Sequence, residues 1–147
     1  MTERTTQPNA GIDPVEACSR LIMAFAQHTD HREFEDVAAL FDVDGIWSRH
    51  GEQIVGPQEI LALLRTRPDS QLERHLMTTV HVEQHSPSTC AAVSYAMIFR
   101  TSTDADGVPR DPQPTPIIGE FHDRFRLTDR GWRFAYRTSL PVFGRPA

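Results

Sequence analysis

Cysteine is scarce in this 147-residue chain: there are two, Cys18 and Cys90. Cys18 falls in an apolar helical stripe and Cys90 opens a strand-like run, so both read as small buried hydrophobes. Two thiols so far apart make neither a disulfide framework nor a zinc motif. They point to a reducing, cytoplasmic setting. Long hydrophobic runs are also missing. No stretch approaches the roughly 18 apolar residues a spanning helix needs, so the sequence gives no sign of a membrane helix. The opening "MTERTTQPNAG" is polar, without the apolar core of a signal peptide, and residues 1–12 read as a disordered arm. Positive charge is not in excess, with 15 basic against 20 acidic residues and a net charge of −5. That balance argues against a nucleic-acid or anionic-membrane partner. No internal repeat is present.

What remains is ordinary globular material, 39% hydrophobic, and enough for one core in a single domain over 13–140 with a short tail at 141–147. Asp13-Pro14-Val15-Glu16 is a helix start, with an N-cap aspartate and proline at the first helical position. Val15, Cys18, Leu21, Ile22, Phe25 and Ala26 follow at helical spacing. "DHREFEDVAALF" predicts a second helix with Phe34, Val37, Ala38 and Phe41 as its stripe. Asp30 and Glu33 form its capped start. "GIWSRH" and "EQIVG" around Gly51 predict a short hairpin anchored by Trp47. Pro57 opens a third helix that Pro68 stops. Four strand-like runs then follow: "RHLMTTVHVEQ", "CAAVSYAMIFRTS", "TPIIGEFHDRFRL" and "GWRFAYRTSL". A proline-rich connection near 102–116 separates the middle two and is long for a hairpin loop. Helices first and antiparallel strands after predict an α+β domain.

"LERHLMTTVHVEQH" holds three histidines, His75, His81 and His85, all at odd positions, which an unbroken strand would place on one face. At about 3.3 Å per residue, His75 and His81 lie roughly 20 Å apart, and His81 and His85 roughly 13 Å. Metal–ligand bonds are only about 2 Å long, so the three cannot share an ion. His85 belongs to a turn beside Ser86-Pro87. His81, between Val80 and Val82, is expected to face outward. His75 stands at the strand's start, where a pocket mouth could be.

The order of these segments resembles the nuclear transport factor 2-like superfamily and, more narrowly, its SnoaL-like branch of polyketide cyclases, scytalone dehydratase-like enzymes and dehydrochlorinases. The matching segments are "QHTDHREFEDVAALF", "DGIWSRH", "GPQEI", "RHLMTTVHVE", "SYAMIFR" and "GEFHDRFRLTDRGWRFAYR". The resemblance implies a strongly curved sheet wrapped around three helices, enclosing a conical and mostly apolar pocket. It also implies an aspartate at the junction of the first two helices supporting a histidine at the start of the third strand. The matching positions are Asp30 and His75.

In that arrangement Asp30 accepts a hydrogen bond from one ring nitrogen and leaves the other as a base, with no metal or organic cofactor required. The expected chemistry is proton abstraction leading to elimination, isomerisation or ring closure on a small apolar, cyclic or polyketide-like substrate. Asp30 as a plain N-cap and His75 as a plain core histidine are the competing readings. Phe25, Trp47, Met77, Tyr95, Phe121 and Asp123 are the candidate pocket residues, with Gly119 beside Phe121 in the wall. Strand alternation puts Asp123 inward and His122 outward, so Asp123 needs a partner, Arg137 or Tyr95. The "RHL", "SYAMIFR" and "DRF" segments also resemble the β subunits of ring-hydroxylating dioxygenases, which implies a non-catalytic ligand-binding or structural subunit as the alternative. Either way a homodimer is expected, formed through the open sheet face.

Overall fold

The computed structural model describes residues 11–144. The arm expected over 1–12 falls almost wholly outside the described residues, as does the end of the C-terminal tail. The chain runs α1 (Pro14–Asp30), α2 (Phe34–Ala39), β1 (Phe41–Arg49), β2 (Glu52–Val55), α3 (Gly56–Arg65), β3 (Gln71–Ser86), β4 (Thr89–Ser102), β5 (Ile117–Thr128) and β6 (Gly131–Phe143). The six strands form one mixed sheet in the order β2-β1-β6-β5-β4-β3. Every neighbouring pair is antiparallel except β1 and β6. α1 lies across β3 and β6, and α2 and α3 pack together at the β1 side. This is the expected α+β arrangement.

α1 starts as its sequence dictates: the Asp13 carboxylate accepts the Glu16 N–H at 3.1 Å, and Pro14 occupies the first turn. Its buried face is Ala17, Cys18, Ile22, Phe25, Ala26 and Thr29. α2 departs from expectation. It begins only at Phe34, with Glu33 in the cap position and no side-chain cap bond. Asp30 is therefore not its N-cap but the last residue of α1. Phe41, expected to close the α2 stripe, instead starts β1 and is fully buried. His50 and Gly51, at φ 50° and 80°, turn β1 into β2 as a two-residue hairpin. Gly45 lets β1 pass close to β6, since a Cβ there would lie 2.6 Å from the Phe134 carbonyl oxygen.

The core is aromatic. Phe25 meets Trp47, Phe41, Phe121 and Phe134 edge-on, with ring centroids 5.3 to 6.4 Å apart. β3 carries the main irregularity. Its pairing with β4 shifts between Thr78 and His81, and Thr79 sits at φ 49°. Met77 before the bulge and Val80 and Val82 after it all pack against the core. The inward-facing positions thus change from odd to even. His75 and His81, which an unbroken strand would align, point to opposite sides.

Candidate active site

α1 ends over β3 through a tight reversal. Arg32 takes a left-handed φ of 61°, and the Arg32 and Glu33 N–H groups return to the carbonyls of Thr29 and His28 at 3.1 and 2.9 Å. Asp30 is thereby aimed at the first residues of β3. Its Oδ2 accepts the backbone N–H of His75 at 2.8 Å, and its Oδ1 lies 2.6 Å from His75 Nδ1. Both side chains are only 7% exposed. A carboxylate only accepts, so Nδ1 carries the shared proton and Nε2 is left as the lone-pair nitrogen. The C-terminal end of α1 contributes a partial negative charge on the same side. A proton taken up at Nε2 would leave the positive ring facing the Asp30 carboxylate.

His75 lines a cavity of about 770 Å³, open mouth included. Phe25, Trp47, Phe121, Ile98 and Ile117 supply apolar walls, and Gly119 keeps one side open. Of the expected pocket residues, Phe25, Trp47 and Phe121 line it. Tyr95 does not: the pleat of β4 sends it to the outer face, where it is 42% exposed. Met77 is absorbed into the core packing. Asp123 is inward as expected, but it is buried away from the cavity and paired with Arg137, whose Nε is 3.2 Å from Oδ1. His122 faces outward and meets Glu120 at 2.7 Å. His81 and His85 lie exposed beside Glu83.

Arg137 is completely buried beneath the cavity floor. Its guanidinium carbon is 4.2 Å from the ring centroids of both Phe25 and Phe121, and 4.8 Å from that of Phe134. Ring faces and Asp123 compensate its charge. Burial pushes the Asp123 carboxyl up to about 6 while Arg137 pulls the other way, and burial likewise lowers the Arg137 pKa.

Several lining residues escaped sequence reasoning. Thr29 is 2% exposed, and its hydroxyl finds no hydrogen-bond partner among the described residues. Arg49, Arg67 and Arg100 form the cavity's polar side. Glu73, 5% exposed, pairs with Arg67 through Oε1 and with Arg100 Nε at 3.0 Å through Oε2. No spacing signal could have joined these residues, which come from the end of β1, the turn after α3, and opposite ends of β3 and β4. The expected mostly apolar pocket is thus apolar on one side only. Asp30, Glu73 and His75 also bring three potential ligand atoms within 4.8 Å of one another. The two carboxylates already accept N–H donors, and two guanidiniums stand beside Glu73, a setting that disfavours a divalent cation.

A family model for a SnoaL-like domain matches residues 12–138. No curated protein sequence matches the chain. Among solved structures, a hexachlorocyclohexane dehydrochlorinase, LinA-type3 from Novosphingobium barchaimii, superposes with a TM-score of 0.74 at 18% identity, covering 90% of this chain and 88% of that one. An NTF2-like protein with a cystatin-like fold from Novosphingobium aromaticivorans gives 0.73 at 20% identity over 88% and 82%. A Mycobacterium tuberculosis protein of unknown function gives 0.72 at 22% identity over 87% and 76%. At these identities the likeness establishes a common fold.

Proposed function

The chain belongs to the SnoaL-like domain family, and from that premise we propose that it is a cofactor-free lyase or isomerase with His75 as general base and Asp30 as its positioning partner. One observation carries the reading: a buried carboxylate grips both the backbone and the ring of a histidine that lines an aromatic cavity. Nε2 takes a proton from a substrate carbon, the electron pair moves to expel a leaving group or shift a double bond, and the imidazolium is held by Asp30. The aromatic walls exclude water and strengthen that pairing. A fold likeness to a dehydrochlorinase, whose name describes an elimination, supports the same reaction class.

The test requires no knowledge of the natural substrate. 5-Nitrobenzisoxazole undergoes ring-opening elimination when any positioned base removes its C3 proton, and the phenolate product is coloured. The protein is expected to accelerate this above free imidazole at equal pH. His75→Ala should cost about 10²- to 10⁴-fold, the usual worth of a general base. Asp30→Asn, which loses the acceptor that fixes the tautomer, should cost at least about tenfold. Undiminished elimination in either variant sinks the proposal.

A second reading, a binding or structural subunit, draws on the outer sheet face, where Leu76, Tyr95, Leu140 and Val142 are each more than two-fifths exposed. The same residues suit a homodimer formed back to back. A monomeric mass by light scattering at micromolar concentration excludes the dimer.

A further inference from the structure

One wall of the cavity carries more positive charge than a general base needs. Arg49, Arg67 and Arg100 all line it together with His75. The acids nearby are already committed: Asp30 to the two N–H groups of His75, Glu120 to His122 on the opposite face, and Glu73 to Arg67 and Arg100. A carboxylate offers roughly four acceptor positions, whereas each guanidinium brings five N–H donors. Arg67 and Arg100 therefore keep donors to spare.

Arg49 has no ion pair or side-chain hydrogen bond among the described residues. It is held by stacking, with its guanidinium carbon 5.1 Å from the centroid of the Trp47 ring. Burial, then the charges of Arg67 and Arg100, hold its pKa below the ordinary arginine range, with Glu73 and Glu52 acting the other way. Three guanidiniums gathered around one carboxylate are costly unless a further anion lies among them. Every basic side chain besides histidine in this sequence is arginine, and there is no lysine. The donors on offer are planar forks, matched to a planar oxyanion.

We propose that the ligand of this site carries a carboxylate, bound by Arg49 with the spare N–H groups of Arg67 and Arg100, while its apolar body lies against Phe25, Trp47 and Phe121. On the reading of His75 as the base, the carboxylate then fixes which carbon faces Nε2. This narrows the substrate class from apolar to amphipathic: a small cyclic or aromatic acid rather than a neutral hydrocarbon or ketone. A charged anchor at one end and an aromatic slot at the other would set orientation, the larger part of a positioning effect.

Titration calorimetry on the intact protein tests this with benzoate, cinnamate and 2-naphthoate, each against its primary amide, and with inorganic phosphate as competitor. The best carboxylate is expected to bind about tenfold or more tightly than its amide. Arg49→Met should abolish that preference while leaving amide affinity within about twofold, and Arg49→Lys should keep part of it. Arg20→Met, which removes the same charge from an exposed helix position, should leave the preference intact. The proposal is overturned if amides bind as well as carboxylates, or if no carboxylate binds below about 10 mM. It is equally overturned if Arg49→Met retains the preference, or if phosphate displaces cinnamate as effectively as benzoate does. Because the readout is binding, a failure of His75 as the base would leave this result standing, and a failure here would leave the elimination assay unaffected.

Discussion

Asp30 has two carboxylate oxygens, and both are spent on His75. That division explains why a residue with good N-cap chemistry does not cap the following helix. The reversal at Arg32 carries the chain past Asp30 before α2 begins, so its oxygens face β3 instead. The cysteines show the converse, residues whose roles are set by burial alone. Cys18 and Cys90 are free, and burial raises both thiol pKa values. A thiolate is the reactive form, so both should resist Ellman's reagent in the native protein and react promptly, two per chain, in denaturant. Fast labelling of either thiol without unfolding would show that the α1–β4 contact opens readily. That Asp30 would meet His75 and that Phe121 would face a cavity was legible through family resemblance, and Phe25 and Trp47 stood out as large apolar residues that the structure also places on its wall. Tyr95 was not placed correctly and Met77 stayed open between pocket wall and core, because a strand pattern of small and apolar residues does not reveal which side of the sheet is the cavity.

At the scale of elements, the bulge in β3 decides what the histidines do. Thr79 adopts a left-handed φ of 49° that a β-branched residue disfavours, and it is exposed, so little packing opposes a change there. Thr79→Gly should stabilise the fold by about 0.5–1 kcal/mol in urea unfolding, the relief of left-handed strain less the added chain entropy. Deleting Thr79 should be tolerated. Thr79 is the extra residue of the bulge, so its removal leaves Met77, Val80 and Val82 inward and His81 outward in one unbroken alternation. A native-like cooperative melt by circular dichroism is expected for the deletion, and loss of that melt would refute this account of the bulge. The sequence "MTTVHV" contains no glycine to announce a bulge. The stretch read as an unbroken strand because β-branched residues satisfy both the strand pattern and, when the sheet demands it, the irregularity.

For the molecule as a whole, the Asp123–Arg137 pair concentrates the electrostatic cost of the fold. The folded pKa of Asp123 is raised to about 6 from an ordinary value of 3.8, chiefly by burial. Between those values the native state holds a proton that the unfolded chain has released. The stability associated with this group is therefore complete below about pH 4 and is lost as pH rises through 6. Two pH units correspond to about 3 kcal/mol. The unfolding free energy of the wild type, measured relative to Asp123→Asn, should fall by about that much from pH 4 to pH 7. Arg137→Met removes the neighbouring positive charge and should steepen the fall. Parallel pH profiles for the wild type and Asp123→Asn would show that Arg137 neutralises the carboxylate fully.

The sequence by itself determined the order of helices and strands, the α+β class, the inward set of β5 and the identity of the Asp30–His75 pair. Those features rest on local periodicity, caps and turn residues, or on segments whose order resembles a known family. Only the tertiary structure decided that Asp30 belongs to α1, that β3 changes faces at Thr79 and that Tyr95 looks outward. It alone gathered Arg49, Arg67 and Arg100 on one wall beside His75, with Glu73 between Arg67 and Arg100. The physical reason is sequence distance: these side chains come from three strands and a turn, and only the curvature and register of the sheet bring them to one wall.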